Sequence, residues 1–160
     1  MSSDAQTLAE RWFALAAEVE LGPLFHALAV GKRRLEAARD PMRVDAPRYA
    51  AFQAALVRGL AARRPRERFE AAHALDIFGD ASTRRRLAPL MDDPVPRVRW
   101  MAMHALSCHA CGEKPDALEA EVRARIARAA KSDPSPRVRR HASVALTLTA
   151  GGERPIVSGA

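Results

Sequence analysis

The sequence predicts an all-α protein, an α-solenoid in which helix pairs stack side by side behind a helical N-terminal cap. Three observations predict it. Alanine and arginine, which favour helices, are abundant, whereas the β-branched and aromatic strand formers are few. Apolar residues recur every three or four positions, which is the period of an amphipathic helix. One segment of the chain repeats itself after forty residues, and 160 residues suffice for one domain with a core.

Two helices are predicted before residue 45. The first spans 4–20, and its apolar stripe comprises Leu8, Trp12, Leu15 and Val19. Gly22-Pro23 ends it, and the second helix is predicted to run to about Arg39 with an apolar face of Leu24, Leu28 and Leu35. Asp40-Pro41 is expected to break this helix, because proline disfavours helical geometry in the residue before it. Residues 1–45 are thus predicted to form an N-terminal helical cap or a divergent repeat.

Beyond a third predicted helix at about 47–62, the chain is repetitive. That helix has an apolar face comprising Tyr49, Phe52, Leu56 and Leu60. Residues 93–106 and 133–146 are identical at most of their fourteen positions, without gaps. A weaker copy at 66–75 retains both arginines, two alanines and the leucine. Repeats of this length predict helix pairs that bury their faces by stacking on their neighbours.

Each strong copy begins with Asp-Pro-x-Pro, at Asp93 and at Asp133. Proline suits the first turn of a helix because that turn leaves its amides unpaired. The apolar positions of the helix that follows share one face. They comprise Val98, Ala102, Ala105 and Leu106 in one copy, and Val138, Ala142, Ala145 and Leu146 in the other.

This pattern resembles the HEAT-repeat family, including its short bacterial lyase-type form. The residues that carry the resemblance are Asp93-Pro94 with Val98-Arg99, and Asp133-Pro134 with Val138-Arg139. The resemblance implies a right-handed superhelix with three HEAT-like repeats in 46–150. Their helix pairs would be 48–62 with 66–78, 82–91 with 95–110, and 116–131 with 135–149. It also implies a hydrogen-bonded ladder between repeats, formed by Asp93, Arg99, Asp133 and Arg139. The glycines and proline of 151–160 predict a flexible C-terminal tail.

In HEAT-like stacks the second helix of each repeat lines a concave surface, which is the usual binding face. The residues expected there lie off the apolar stripe, and they are Arg66, Phe69, His73, Arg97, Trp100, His104, Arg137 and Arg140. Stacking would place Phe69, Trp100 and Arg140 in a row, with His73 beside His104. Arginines flanked by flat aromatic groups suit phosphate contacts and base stacking. The alternative is that the aromatic residues only pack between repeats.

The charge favours an anionic partner. The net charge is +7, of which residues 1–60 contribute 8 basic minus 7 acidic, or +1, and residues 61–160 contribute 18 minus 12, or +6. Such a surplus attracts anions at long range, although much of it is also what a solvated surface carries. Two further basic clusters, Arg63-Arg64-Pro65-Arg66 and Arg84-Arg85-Arg86, lie near predicted helix junctions and are candidate contacts at the rim.

Cys108 and Cys111 raise a metal or redox alternative. A Cys-x2-Cys at a helix end is half of a zinc site, and His104 lies one turn before Cys108. No second Cys-x2-Cys exists, so buried thiols are the simpler interpretation and no cofactor is expected. Phosphate loops and hydrolase motifs are absent from the sequence. A base-excision glycosylase on a HEAT-like fold would need a carboxylate among aromatics, for which Glu70 is the candidate.

The sequence therefore predicts a non-enzymatic interaction or scaffold module, with no catalytic residue assigned. A protein is the first expected partner and nucleic acid is the alternative, whereas no membrane and no small-molecule substrate is expected. We expect a cytoplasmic location, because the sequence has neither an apolar run of membrane-spanning length nor the basic and apolar segments of a signal peptide.

Overall fold

A computed structural model describes residues 3–108 and 119–150, and within these ranges the chain is helical and contains no strand. Its nine α-helices are α1 (Ser3–Ala16), α2 (Gly22–Leu28), α3 (Lys32–Arg43), α4 (Ala46–Gly59), α5 (Pro65–Phe78), α6 (Ala81–Arg85), α7 (Pro96–Ser107), α8 (Ala120–Ser132) and α9 (Pro136–Ala150). A 3₁₀ helix, Ala88–Asp92, lies between α6 and α7. The all-α prediction is confirmed, and no described helix has the length and apolarity needed to span a membrane.

Helix α1 is shorter than the sequence predicts. It ends at Ala16, and Val19, which was expected on its apolar stripe, is fully exposed. The buried face of α1 is richer in alanine than in large apolar residues, and it is formed by Ala5, Ala9, Trp12, Phe13 and Ala16. The edge of the Trp12 ring meets Phe78 of α5, with 5.9 Å between the ring centroids. Helix α1 thus contacts the core through residues up to Ala16, and Val19 takes no part in that contact.

The predicted second helix is two helices, and the predicted break at Asp40-Pro41 is wrong. The chain turns between α2 and α3 at Gly31, whose φ of 88° lies in the region that favours glycine. Pro41 lies inside α3 instead. Only Met42 and Arg43 follow Pro41 in this helix, and Met42 is fully buried. The last turn therefore gains apolar burial that offsets the missing hydrogen bond.

Helix α4 joins the N-terminal helices to the rest of the molecule. The Asp45 carboxylate caps α4 by accepting a hydrogen bond from the Arg48 amide at 3.2 Å. At the other end, a Cβ built on Gly59 would lie 2.1 Å from the ring of Phe25 in α2, so the Phe25 ring occupies that space. Helix α4 packs on α5, and α1, α2 and α3 pack on α4 or α5. Helices α1, α2 and α3 are thus continuous with the core.

The predicted helix at 82–91 is replaced by two short turns of helix. The carboxylate of Asp80 accepts a hydrogen bond from the Thr83 amide at 2.8 Å and opens α6, which ends after five residues. The 3₁₀ helix follows and contains Pro89, which has no amide to continue an α-helical ladder back to Arg85. Its residues Leu90 and Met91 are buried, and the 3₁₀ helix packs against α7.

Helices α5, α7 and α9 lie side by side as one layer, because α5 packs on α7 and α7 packs on α9. Helix α8 packs on α9. The apolar faces expected for α7 and α9 are largely buried, since Val98, Ala102 and Ala105 are buried and so are Val138, Ala142 and Ala145. The predicted C-terminal tail, 151–160, lies outside the described residues. This layer places the corresponding residues of the three repeated segments next to one another.

Candidate functional site

One edge of the α5, α7 and α9 layer is tied together by two bidentate ion pairs. Arg68 of α5 donates to the Asp93 carboxylate through Nε at 2.7 Å and through Nη2 at 3.1 Å. Arg99 of α7 donates to the Asp133 carboxylate in the same way, with both distances 2.8 Å. Each pair joins an arginine of one repeated segment to the turn before the next, so the two pairs form a ladder along the layer.

The third guanidinium nitrogen of each ladder arginine holds the turn before its own helix. Nη1 of Arg99 donates to the carbonyls of Asp93 and Pro94 at 2.8 and 3.2 Å. Asp133 also accepts the Ser135 amide at 2.8 Å. The side-chain hydrogen bond from Arg99 is the main cause that lowers the pKa of Asp133, and the same pairing raises the pKa of Arg99. The pair of Arg99 and Asp133 is therefore fully ionised near neutral pH.

Arg68 belongs to this ladder, although the ladder predicted from the sequence omitted it. Its position corresponds to Arg99 in the weaker repeat, and that correspondence was the available signal. Arg139, which the prediction included, donates through Nη1 to the carbonyls of Asp133 and Pro134 at 2.6 and 3.2 Å. Among the described residues, no carboxylate accepts from Arg139 as Asp133 accepts from Arg99.

The opposite edge of the layer holds arginines on aromatic rings. The guanidinium carbon of Arg97 lies 4.0 Å from the centre of the Phe69 ring, and that of Arg137 lies 4.9 Å from the centre of the Trp100 ring. Both arginines are exposed. Within residues 3–108 and 119–150, neither arginine forms an ion pair with a carboxylate. Stacking thus holds the two cations in place while leaving their N–H groups available.

A cleft of about 260 Å³ opens between α3, α5 and α7 next to these stacked pairs. The side chains that line it are Lys32, Phe69, His73, Asp76, Trp100, Met101 and His104. Four of them, Phe69, His73, Trp100 and His104, were predicted from the sequence. Lys32 and Asp76 were missed, because the repeat comparison ended at Leu75 and did not include the N-terminal helices. Arg66 was predicted with this group but lines a smaller depression beside His26.

Asp76 rather than Glu70 is the carboxylate of this cleft. Asp76 is buried, and its Oδ2 lies 3.5 Å from Nε2 of His104. Glu70, the glycosylase candidate, lies 3.9 Å from Nδ1 of His73 and lines the depression near Arg66 instead. Asp76 follows His73 by three residues on α5, so one helical turn separates their Cα atoms along the axis.

Three histidine and tryptophan rings meet at the junction of α7 and α9. His104 stacks on Trp100 with 5.6 Å between centroids and 18° between planes. His141 of α9 lies 5.5 Å from Trp100 and 5.6 Å from His104. The expected row placed Arg140 at this point, but Arg140 is exposed and the next residue, His141, meets Trp100. Burial, together with the neighbouring His104 and Arg137, lowers the pKa of His141 to about 4.

The predicted rim clusters are arranged differently from one another. Arg63 and Arg64 are exposed beside α5. Arg84, by contrast, is buried, and its Nη2 donates to the carbonyl of Asp76 at 3.2 Å. Arg85 is exposed and pairs with Glu119 at 2.6 Å. Arg84 is therefore a structural residue, which corrects its assignment to a surface cluster.

The zinc alternative receives no support from the described part of the chain. Cys108 is half-buried at the end of α7, whereas Cys111 and His109 lie outside the described residues. His104 lies beside Asp76 and Trp100. Across residues 3–108 and 119–150, no three histidine, cysteine, aspartate or glutamate side chains are grouped so as to hold a metal ion.

Comparison with known proteins gives no assignment. The chain matches no family model, no curated protein and no solved structure. The arrangement of these side chains is therefore the basis for proposing a function.

Proposed function

We propose that this chain is a non-enzymatic interaction module of HEAT-like repeats, which binds a negatively charged macromolecule through the α5, α7 and α9 layer. The observation that carries the proposal is the pair of exposed arginines, Arg97 and Arg137, that lie on Phe69 and Trp100 without a carboxylate partner among the described residues. Such preoriented cations are suited to bind carboxylates or phosphates at low entropic cost.

Two features support a HEAT-like solenoid. Helices α5, α7 and α9 pack in sequence order, and the same bidentate pair recurs at both junctions, as Arg68 with Asp93 and Arg99 with Asp133. In a stack of repeats each unit contacts its neighbours mainly, so a recurring junction is the expected signature. The short α6 and the 3₁₀ helix take the place of the first helix in the middle repeat.

An acidic surface of a protein is the first partner that we propose. Arg66, Arg97 and Arg137 occupy equivalent positions in α5, α7 and α9 and are all exposed. Neighbouring helices pack about 8–10 Å apart. Three cations at this spacing match carboxylates distributed over a protein surface, and residues 61–160 supply long-range attraction through their charge of +6, from 18 basic minus 12 acidic residues.

Single-stranded nucleic acid is the second candidate, and the cleft favours it. The rings of Phe69 and Trp100 line an opening of about 260 Å³ beside the stacked arginines. Nucleic acids combine a phosphate chain with flat bases, and proteins that bind single strands pair cationic grooves with aromatic side chains. A base in this cleft would place its phosphates near Arg97 and Arg137.

The test is a binding titration over a salt series. The probes are a fluorescent 20-residue poly-glutamate peptide, single-stranded DNA and RNA 20-mers, and a duplex of the same length. The variants are Arg97→Gln with Arg137→Gln, and Trp100→Leu. The matched control is Arg33→Gln with Arg34→Gln, which removes the same charge from two exposed arginines of α3.

Loss of binding in Arg97→Gln, Arg137→Gln but not in the α3 control supports the proposed face. For single-stranded nucleic acid, removing two phosphate contacts lowers the slope of log K against log salt by roughly 1.4. Trp100→Leu then separates the partners, because it weakens binding of single strands by about tenfold or more and leaves poly-glutamate binding nearly unchanged. Equal losses in the control and the face variant, or binding of none of the probes at 50 mM salt, would contradict the proposal.

A further inference from the structure

Three equivalent positions, spaced four residues apart, form a stripe on each of the helices α5, α7 and α9. The stripes on the three helices differ in how deeply they are buried. Their members are Arg68, Ala72 and Asp76 on α5, Arg99, Met103 and Ser107 on α7, and Arg139, Ser143 and Thr147 on α9. Five of the six on α5 and α7 are buried and Arg68 is half-buried, whereas Ser143 and Thr147 are exposed. Helix α7 has packed neighbours on both sides, α5 and α9, but the closely packed neighbours of α9 among the described helices are α7 and α8. The stripe on α9 is therefore one half of a junction.

Arg139 is held in the same way as the arginine of a completed junction. Its Nη1 donates to the carbonyls of Asp133 and Pro134, as Nη1 of Arg99 donates to Asp93 and Pro94. The guanidinium group is planar, so fixing Nη1 also orients Nε and Nη2. In Arg99 these two nitrogens donate to one carboxylate. In Arg139 they have no acceptor among the described residues, and together they form a preoriented site for a carboxylate.

Two apolar side chains are exposed on α9 beyond this fork. Val144 is 50% exposed and Leu148 is 64% exposed, so α9 carries two of the four large hydrophobic residues that are exposed in the described part of the chain. Residues 136–150 contain three arginines and no acidic residue. The surface is thus basic at the start of α9 and apolar toward its end, a combination that suits a partner with a carboxylate and an apolar stripe about three turns long.

We propose that the stripe on α9, together with Val144 and Leu148, is a docking surface for a helical segment of another protein that bears an aspartate in the turn before its helix. Asp93 and Asp133, which receive the Arg68 and Arg99 forks in the described part of the chain, occupy such a turn and also accept the amide two residues later, at Val95 and Ser135. The partner's aspartate receives Nε and Nη2 of Arg139, and its apolar residues cover Val144 and Leu148.

A second copy of this chain is a poor occupant. A parallel contact between two α9 faces would bring Arg139 and Arg140 of both copies together with no carboxylate between them, and an antiparallel contact would set Arg139 against the end of α9, which contains no acidic residue. A head-to-tail contact would need an aspartate at the start of the first repeat, where Ala62 stands at the position that corresponds to Asp93. None of these arrangements supplies a carboxylate to Arg139, so charge complementarity favours a different protein as the occupant.

The experiment places the photo-cross-linker p-benzoylphenylalanine at Ser143, in the middle of the stripe, in the full chain expressed in its native cells. The control places it at Val44, which is 85% exposed at the end of α3. Adducts are mapped to single peptides by mass spectrometry. We expect a Ser143-specific adduct on another protein, in a helical segment preceded by an aspartate, with a yield that falls about tenfold in Arg139→Gln and in Arg139→Lys.

A synthetic peptide of the mapped segment then provides a binding constant. Replacing its aspartate by asparagine should weaken the peptide by about tenfold, which equals about 1.4 kcal/mol. Leu148→Ser, a change at an exposed position, should weaken it as well, whereas Arg97→Gln on α7 should not, which separates this surface from the proposed face. Three outcomes would overturn the proposal. The adducts could form only within this chain or its copies, or their yield could fail to exceed the Val44 control. The adducts could also be insensitive to both Arg139 variants and to Leu148→Ser.

Discussion

On one edge of the α5, α7 and α9 layer, Arg99 is buried and gives two hydrogen bonds to the carboxylate of Asp133. On the other edge, two residues earlier in the same helix, Arg97 is exposed and lies on the ring of Phe69. Both are arginines of one helical turn, and their surroundings differ in burial and in the group that faces them, which is a carboxylate for Arg99 and an aromatic ring for Arg97. Arg99 is held by a carboxylate of the same molecule, whereas the guanidinium N–H groups of Arg97 are available to a partner molecule.

This contrast shows that position on the helix, and not residue type, separates the structural arginines from the candidate binding arginines. Two residues along an α-helix correspond to a rotation of about 200°, so neighbouring arginines of one Arg-x-Arg segment face opposite edges of the layer. The same separation holds for Arg137 and Arg139 of α9. Net charge alone would have counted these side chains together.

The largest expected effect comes from breaking the ladder. Arg99→Met removes one partner of a buried pair and leaves the carboxylate of Asp133 in a site with little water. We expect the free energy of unfolding to fall by about 3–5 kcal/mol. The measurement is urea denaturation followed by circular dichroism at pH 7, with Arg97→Met as the matched control two residues away.

The double variant Arg99→Met, Asp133→Asn should recover part of this loss, because the uncompensated charge is then absent. A fall no larger than that of Arg97→Met would mean that the two edges of the layer do not differ in the way described. Failure of the double variant to recover any stability would assign the loss to packing of the arginine stem rather than to charge.

Much of the helical layout could be predicted from the sequence, because it follows from local rules. The bounds of α5, α7 and α9 follow from the prolines at their first turns and from apolar residues at helical spacing. The errors occurred where tertiary packing decides. Burial of Met42 keeps α3 helical past Pro41, and the chain turns at Gly31 instead. Neither burial nor a positive φ can be read from spacing alone.

The candidate site was predicted less completely than the helices. Phe69, Trp100 and His104 were expected on one surface, and all three line the cleft. Lys32 comes from α3, which lies outside the repeats, so no repeat register could have indicated it. His141 replaces Arg140 beside Trp100 because the ring contact depends on how α9 is rotated against α7. Helix rotation is set by packing of side chains across the junction, which a single sequence does not specify.

A second prediction concerns the pH dependence of stability, and it compares two titrating groups, His141 and Asp133. The pKa of His141 is lowered to about 4 in the folded protein by burial, with His104 and Arg137 adding to the effect. The unfolded chain takes up the proton near pH 6.5, so stability is complete above that pH and is lost as the pH falls from 6.5 toward 4. Asp133 remains ionised over this window because its pKa is lowered.

Between pH 7 and pH 5 we expect the free energy of unfolding to fall by about 1–2 kcal/mol on account of His141. His141→Met should remove this part of the pH dependence, since methionine occupies the corresponding position of α7 at Met101. Urea denaturation of both proteins at the two pH values measures it. An identical pH dependence in the variant would show that the folded protein and the unfolded chain bind a proton at His141 equally well, in conflict with its burial against Trp100 and His104.

The smallest expected effect concerns the exposed arginines themselves. Arg97→Met and Arg137→Met each lose a stacked cation at an exposed site, which is worth about 0.5–1 kcal/mol at most, and the methionine side chain retains some contact with the ring. Each also relieves repulsion in a chain of net charge +7. We therefore expect the unfolding free energy to change by less than about 0.5 kcal/mol, in either direction. Raising the salt concentration from 0.05 to 0.5 M screens the repulsion between the remaining cations. The unfolding free energies of both variants should therefore shift in the same direction relative to wild type. A loss above about 2 kcal/mol in either variant would place that arginine with Arg99 among the structural residues, because binding residues on an exposed edge contribute little to the fold.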